Sequence, residues 1–310
     1  MLDVQLQSML QAMAASGAPD LGDLPPAVGR QVYRQILASG DLPPADVDVS
    51  NRQIAGPGGP LSVRLYTPRS QTSAPRGLVL YLHGGGFALG DLDSYDCVCR
   101  TLCQDSDCVV VSVDYRLAPE HPFPAAVEDC YASLQWLAAH ASALNADAQR
   151  LAVCGDSAGG NLAAVMALLA KAGGPAIRYQ VLIYPVTSVR PGQLPSHHEF
   201  GQGYVLSRKA MDAFSHHYFG GDGSAPDFRG APLLAPDLAG LPPALVLVGG
   251  YDVLRDDGIA YADAMTKAGT QVTLVEYAGL SHGFINMAAG LSAGRLALSQ
   301  VGAALRHALG

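Results

Sequence analysis

A chain of 310 residues with 49% hydrophobic and 15% charged positions is large enough to bury a sizeable core, and this composition excludes a disordered protein. The formal net charge of -8 argues against nucleic acid or an anionic membrane surface as partner. No apolar run reaches the length of a membrane span, and Met1-Leu2-Asp3-Val4-Gln5 lacks a basic segment followed by an apolar core, so a cytoplasmic location is expected.

Residues 1–48 carry apolar patches at helical spacing (Leu6, Leu10, Met13; Val32, Ile36, Leu37), interrupted at Pro25-Pro26 and Pro43-Pro44. The spacing predicts two short amphipathic helices and no core strand. From Val47 to Pro68 the period changes to two. Leu61, Val63 and Leu65 alternate with Ser62, Arg64 and Tyr66, which predicts a half-exposed antiparallel strand after the turn Gly56-Pro57-Gly58-Gly59-Pro60.

Near-continuous apolar runs follow at 77–82, 108–113, 151–154, 181–184 and 244–248, with a final strand over 272–277. Stretches 123–140, 157–172 and 256–268 have helical character. Strands buried on both faces and alternating with helices predict an open, mostly parallel α/β sheet, which binds ligands beyond the carboxyl ends of its strands. Four of the six cysteines lie at 97, 99, 103 and 108. Their spacing lacks the paired C-x2-C knuckles of a zinc site and fits burial across a helix-to-strand passage. Residues 187–240 break the alternation and read as an inserted helical cap, joined by the N-terminal helices. The pairs His197-His198 and His216-His217, with Glu199, suit a solvated cap better than a metal site, because neighbouring histidines point apart. No metal is expected.

The polar clusters fall at strand ends. Gly155-Asp156-Ser157-Ala158-Gly159 follows the 151–154 run and opens onto a helical stretch, the pattern of a nucleophile elbow. Glycines two residues either side of Ser157 remove the Cβ atoms that a strand reversing into a helix would press together. A serine hydroxyl needs a base, an orienting carboxylate and donors for the oxyanion. The acid candidate is Asp252, directly after strand 244–248, favoured over Asp256 and Asp257, which fall where a helix begins and suit its first turn. The base candidate is His282, just beyond the final strand. One oxyanion donor is expected at the Ala158 amide, and others in His83-Gly84-Gly85-Gly86-Phe87, whose glycines let backbone N–H groups approach a carbonyl. Phe87, Tyr184, Leu206, Phe214 and Phe284 are candidate pocket walls.

These motifs, with Asp114-Tyr115-Arg116-Leu117-Ala118-Pro119-Glu120, Asp252-Val253-Leu254-Arg255-Asp256 and His282-Gly283-Phe284, resemble the hormone-sensitive-lipase-like branch of the α/β-hydrolases, the bacterial family IV of carboxylesterases. The acid motif of that family usually has proline where Val253 stands. The resemblance runs from about residue 60 to the C-terminus. It implies a central eight-stranded sheet flanked by helices, with catalytic parts 49–186 and 241–310 and a cap made of 1–48 and 187–240. It also implies a triad of Ser157, Asp252 and His282 and oxyanion donors at Gly84, Gly85 and Ala158, with His83 and the 115–120 segment as supports. The activity implied is hydrolysis of short- to medium-chain acyl esters, small molecules, through a serine acyl-enzyme without a cofactor, by a monomer or homodimer. An amidase or deacetylase of a small metabolite would use the same residues. A non-catalytic ligand receptor on this scaffold would be expected to have lost part of the triad.

Overall fold

The structure is a computed structural model that describes residues 1–70, 72 and 74–310. Asp3 starts helix α1 (Val4–Ser16) by accepting the N–H groups of Gln5 and Leu6, and Pro26 opens α2 (Pro26–Gly40) at a position where its missing N–H costs nothing. Strands β1 (Val47–Gly56) and β2 (Gly59–Pro68) form a hairpin closed by the Gly56–Gly59 pair. The remaining elements are β3 (Arg76–Leu82), α3 (Asp96–Ser106), β4 (Val109–Val113), α4 (Ala125–Ala139), β5 (Ala146–Asp156), α5 (Ala158–Lys171), β6 (Tyr179–Ile183), α6 (Ser196–Glu199), α7 (Arg208–Phe219), β7 (Ala244–Gly249), α8 (Arg255–Lys267), β8 (Val272–Tyr277) and α9 (Ser292–Leu309).

The eight strands form one sheet in the order β1-β2-β4-β3-β5-β6-β7-β8, and β2 runs against the other seven. Every residue of β3, β4 and β7 is buried, as apolar runs covered on both faces require. Alternate side chains feed two cores. Leu78, Leu80, Val111, Val153 and Val246 face α4, α5 and α8, while Val79, Tyr81, Val110, Cys154 and Leu245 face α3 and α9. Two local expectations are corrected. Tyr66, on the face of β2 read as exposed, is buried under α3 and donates its hydroxyl to Asp96 at 3.0 Å. Strand β5 begins five residues before its apolar run, because the register with β3 shifts between Arg76 and Leu78 and residues 147–150, polar but for Ala148, take up the offset.

All six cysteines are free and buried. Among the described residues no group of His, Cys, Asp and Glu is placed to hold a metal, and no helix is long and apolar enough to cross a membrane. Leu6 and Leu37 of the N-terminal helices are buried in the α3–α9 core. The insertion is pinned to the sheet layer by Asn161, whose amide donates to the carbonyls of Val186 (2.9 Å) and Gly230 (2.8 Å). The two segments meet where Lys209 pairs with Asp23 and where Gly22 lies so close to Ala210 that a Cβ would fall 2.8 Å from the Ala210 Cα.

Candidate active site

The passage from β5 to α5 puts Ser157 at φ 56°, ψ −119°, a conformation that costs a non-glycine residue of order 1–3 kcal/mol. The strain is held by its surroundings. The Ser157 N–H donates to the Ile183 carbonyl at 2.8 Å, and a Cβ on Gly159 would lie 1.9 Å from the Leu82 carbonyl oxygen. A Cβ on Gly155 would lie 2.2 Å from the Gly159 oxygen, so both glycines are required by close backbone approach.

At this tip Ser157 Oγ stands 2.9 Å from His282 Nε2, and His282 Nδ1 stands 2.9 Å from Asp252 Oδ2 and 3.1 Å from Oδ1. A carboxylate only accepts, so Nδ1 carries the proton and Nε2 is left to accept from the serine. Asp252 has no solvent exposure and takes a further hydrogen bond from the Leu254 N–H at 2.8 Å. The rival acids point elsewhere. Asp256 pairs with Arg255 and accepts from the Ser196 N–H, while Asp257 accepts from the N–H groups of Thr187 and Ser188 and bonds His197 Nε2 at 2.6 Å. His197 is therefore fully buried and not solvated as the sequence suggested; its Nδ1 accepts from the Gly192 N–H, which fixes Nε2–H as the donor to Asp257.

The glycine loop after β3 departs from expectation at one position. The Gly84 N–H already donates to Asp156 Oδ1 at 2.9 Å, which occupies the donor assigned to it from the sequence. Gly85 (φ 116°) and Gly86 (φ 60°) hold conformations open to glycine, and among the described residues neither amide has an acceptor. Ala158 opens α5, where the helix leaves its first N–H groups without intrahelical partners. His83 braces the loop from beneath. Its ring stacks on Tyr115 at 4.2 Å, its Nδ1 donates to the Gly84 carbonyl at 2.8 Å, and its own carbonyl accepts from the Tyr115 hydroxyl at 2.7 Å. Burial lowers the His83 pKa to about 4, partly offset by the Gly84 carbonyl, so the ring is neutral.

Sequence reasoning missed the surroundings of Asp156. Its buried carboxylate accepts from the Tyr81 hydroxyl (2.8 Å), the Tyr95 hydroxyl (3.1 Å) and the Gly84 N–H. Burial raises its pKa to about 6, and the tyrosine hydrogen bonds, His282 and the Gly84 N–H hold it from rising further. The available signal was a carboxylate beside the nucleophile at the end of a strand covered on both faces.

The pocket candidates divide. Tyr184 is fully buried with its ring 4.6 Å from the His282 ring, and Phe214 on α7 lies over the glycine loop, close enough that a Cβ on Gly86 would fall 2.3 Å from its ring. Phe87 stacks on Tyr218 at 4.0 Å, and Phe284 packs edge-on to Tyr184 with no exposure. Leu206 joins a small cluster with Phe200, Met211, Val253 and Leu254 between the insertion and the Asp252 loop. A separate polar hollow of about 450 Å³ near β1 and β2 contains none of these groups, and its arginines are paired: Arg64 with Asp93 and Asp96, Arg100 with Asp96.

Taken together, the site offers a hydroxyl within reach of an imidazole that a carboxylate orients, beside N–H groups without acceptors. That arrangement can attack a carbonyl carbon and hold the charge that develops on its oxygen.

Residues 79–286 match the family model described as alpha/beta hydrolase fold. Esterase LipI of Mycobacterium tuberculosis is 45% identical over 91% of this chain and 89% of its own length. The ethyl acetate hydrolase of Pseudomonas putida is 42% identical over 74% of this chain and 73% of its own. Among solved structures, the hyperthermophilic esterase of the archaeon Pyrobaculum calidifontis superposes with a TM-score of 0.93 at 40% identity, covering 99% of this chain and 98% of that one.

Proposed function

The chain belongs to the hormone-sensitive-lipase-like branch, bacterial family IV, of the α/β-hydrolase carboxylesterases, and from that membership we propose that Ser157, His282 and Asp252 carry its ester hydrolysis. Members of this fold cleave carboxylic esters through a serine acyl-enzyme. The observation that carries the assignment of residues is the unbroken hydrogen-bonded line from Ser157 Oγ through His282 to the buried Asp252.

In this reading Ser157 Oγ attacks the ester carbonyl while His282 Nε2 takes its proton, and Asp252 fixes the tautomer and stabilises the imidazolium. The amides of Gly85, Gly86 and Ala158 hold the tetrahedral oxyanion, one residue further along the loop than the sequence suggested, since the Gly84 amide is engaged by Asp156. His282 then protonates the leaving alcohol, a water attacks the acyl carbonyl with His282 as base, and the acid and free Ser157 are restored. Residues 1–48 and 187–240 act as the cap over this site. Phe214 lines the approach to the reacting atoms, Tyr184 packs behind the His282 ring, and the substrates are short- to medium-chain acyl esters. The ethyl acetate activity in the name of one relative supports the shorter end of that range.

Replacing Ser157 by Ala should lower kcat for a p-nitrophenyl ester by about 10⁴- to 10⁶-fold with an unchanged circular dichroism spectrum, and abolish labelling by a serine-directed organophosphate. Near-wild-type turnover by that variant would sink the assignment.

A further inference from the structure

Helix α2 lies outside the sheet, yet residues 29–34 of it are fastened to the glycine loop and the segment that follows it. Arg30 donates through Nε to the Ala88 carbonyl at 2.8 Å and through Nη2 to the Ala118 carbonyl at 3.0 Å, and it pairs with Glu120 at 2.6 Å. Gly29 packs close to Leu89, and Arg34 pairs with Asp91. Between these contacts the Tyr33 hydroxyl stands 2.8 Å from the Tyr95 hydroxyl. Tyr95 has one hydroxyl proton, and it donates that proton to Asp156 Oδ2. Tyr33 is therefore the donor to Tyr95, and the bonds run in one direction from α2 to the carboxylate next to the nucleophile.

We propose that Tyr33 is a positioning residue for the oxyanion loop: it donates the outermost hydrogen bond of the chain Tyr33, Tyr95, Asp156, whose carboxylate grips the Gly84 amide and thereby sets where the next two amides point. This rests on the reading of Gly85 and Gly86 as oxyanion donors. Each donor polarises the next, so the hydroxyl of Tyr33 strengthens the grip without touching the substrate. At Gly84 the loop is held twice, by the Asp156 carboxylate at the amide and by His83 Nδ1 at the carbonyl, and only the first of these grips leads back to α2. A Cβ at Gly84 would fall 2.5 Å from Asp156 Oδ2, so the carboxylate and the loop backbone are already in direct contact and a displacement of one is transmitted to the other. In this arrangement α2 positions the oxyanion loop as well as covering the site.

The test compares wild type, Y33F, Y95F and the double variant, all of which keep their rings. Initial rates with a p-nitrophenyl ester give kcat and KM. A short-chain trifluoromethyl ketone reports the oxyanion geometry, because Ser157 Oγ adds to its carbonyl carbon, the serine proton passes to His282 and the carbonyl electron pair becomes an oxyanion. The matching methyl ketone reports binding alone. Y33F should lower kcat by about three- to tenfold with KM within about twofold of wild type, and weaken the trifluoromethyl ketone by the same factor while sparing the methyl ketone. Y95F should lose more, and the double variant should lose no more than Y95F, because Tyr33 acts only through Tyr95. Unchanged kcat in Y33F, additive losses in the double variant, or equal weakening of both ketones would overturn the role of Tyr33. Equal affinity of wild type for the two ketones would instead overturn the oxyanion reading on which it rests.

Discussion

Asp252 and Asp256 stand four residues apart in sequence, and the fold gives them unrelated tasks. Asp252 leaves the end of β7, has no exposure and meets His282; Asp256 turns to Arg255 and the first turn of α6. Asp252→Asn should cost about 10⁴-fold in kcat through the wrong imidazole tautomer, whereas Asp256→Asn should cost less than about tenfold and act through stability. Equal losses in a p-nitrophenyl ester assay would remove the distinction. At this scale the serine, histidine and acid that the fold brings into hydrogen-bonding reach were legible because they follow apolar runs with glycines close by, where short-range pattern is informative. The engagement of the Gly84 amide was not legible, since its partner is 72 residues away. Nor was the burial of His197, whose partner Asp257 is 60 residues distant and was read as a helix-capping acid.

Among the elements, the turn joining β5 to α5 is closely confined. Its glycines face backbone atoms, which cannot swing aside as a flexible side chain would, so Gly159→Ala must displace β3 or the helix itself. The expected result is a loss of at least about 4 kcal/mol, measured as the shift of the urea midpoint, or failure to yield folded protein. A variant within about 1 kcal/mol of wild type would show that the elbow is slacker than its contacts indicate. Most elements were legible from local pattern: β3, β4 and β7 from near-continuous apolar runs and α8 from its helical character. The first half of β5 was not, because Asp147, Gln149 and Arg150 are accommodated by a register shift that depends on the neighbouring strand. The covering of Tyr66 by α3 likewise depends on where a later helix packs, which the period of β2 does not encode.

For the whole molecule, two buried groups bias stability in opposite directions with pH. His83 has a folded pKa of about 4 against an ordinary 6.5, so the unfolded chain binds more protons between these values and stability falls as pH drops through that window, by about 3 kcal/mol. Asp156 has a folded pKa of about 6 against 3.8, so the folded chain binds more protons between them and stability rises by about 3 kcal/mol as pH drops from 6 toward 4. The two contributions largely cancel in the wild type. Asp156→Asn removes only the second, so urea midpoints should show the variant losing about 3 kcal/mol more than wild type between pH 7.5 and pH 4. Parallel pH profiles for the two proteins would contradict these opposed roles. Sequence by itself determined the fold class, the strand ends that carry the polar clusters, and the serine, histidine and acid that stand there. Those features depend on local backbone geometry and on periodic burial, both of which operate over a few residues. Tertiary structure alone decided which loop amides remain without an acceptor, where His197 resides, and that a helix in the first 40 residues is tied through Tyr33 and Tyr95 to the carboxylate beside the nucleophile. Hydrogen bonds between residues 60 or more positions apart are chosen by how layers pack, and packing is a property of the assembled sheet and its helices.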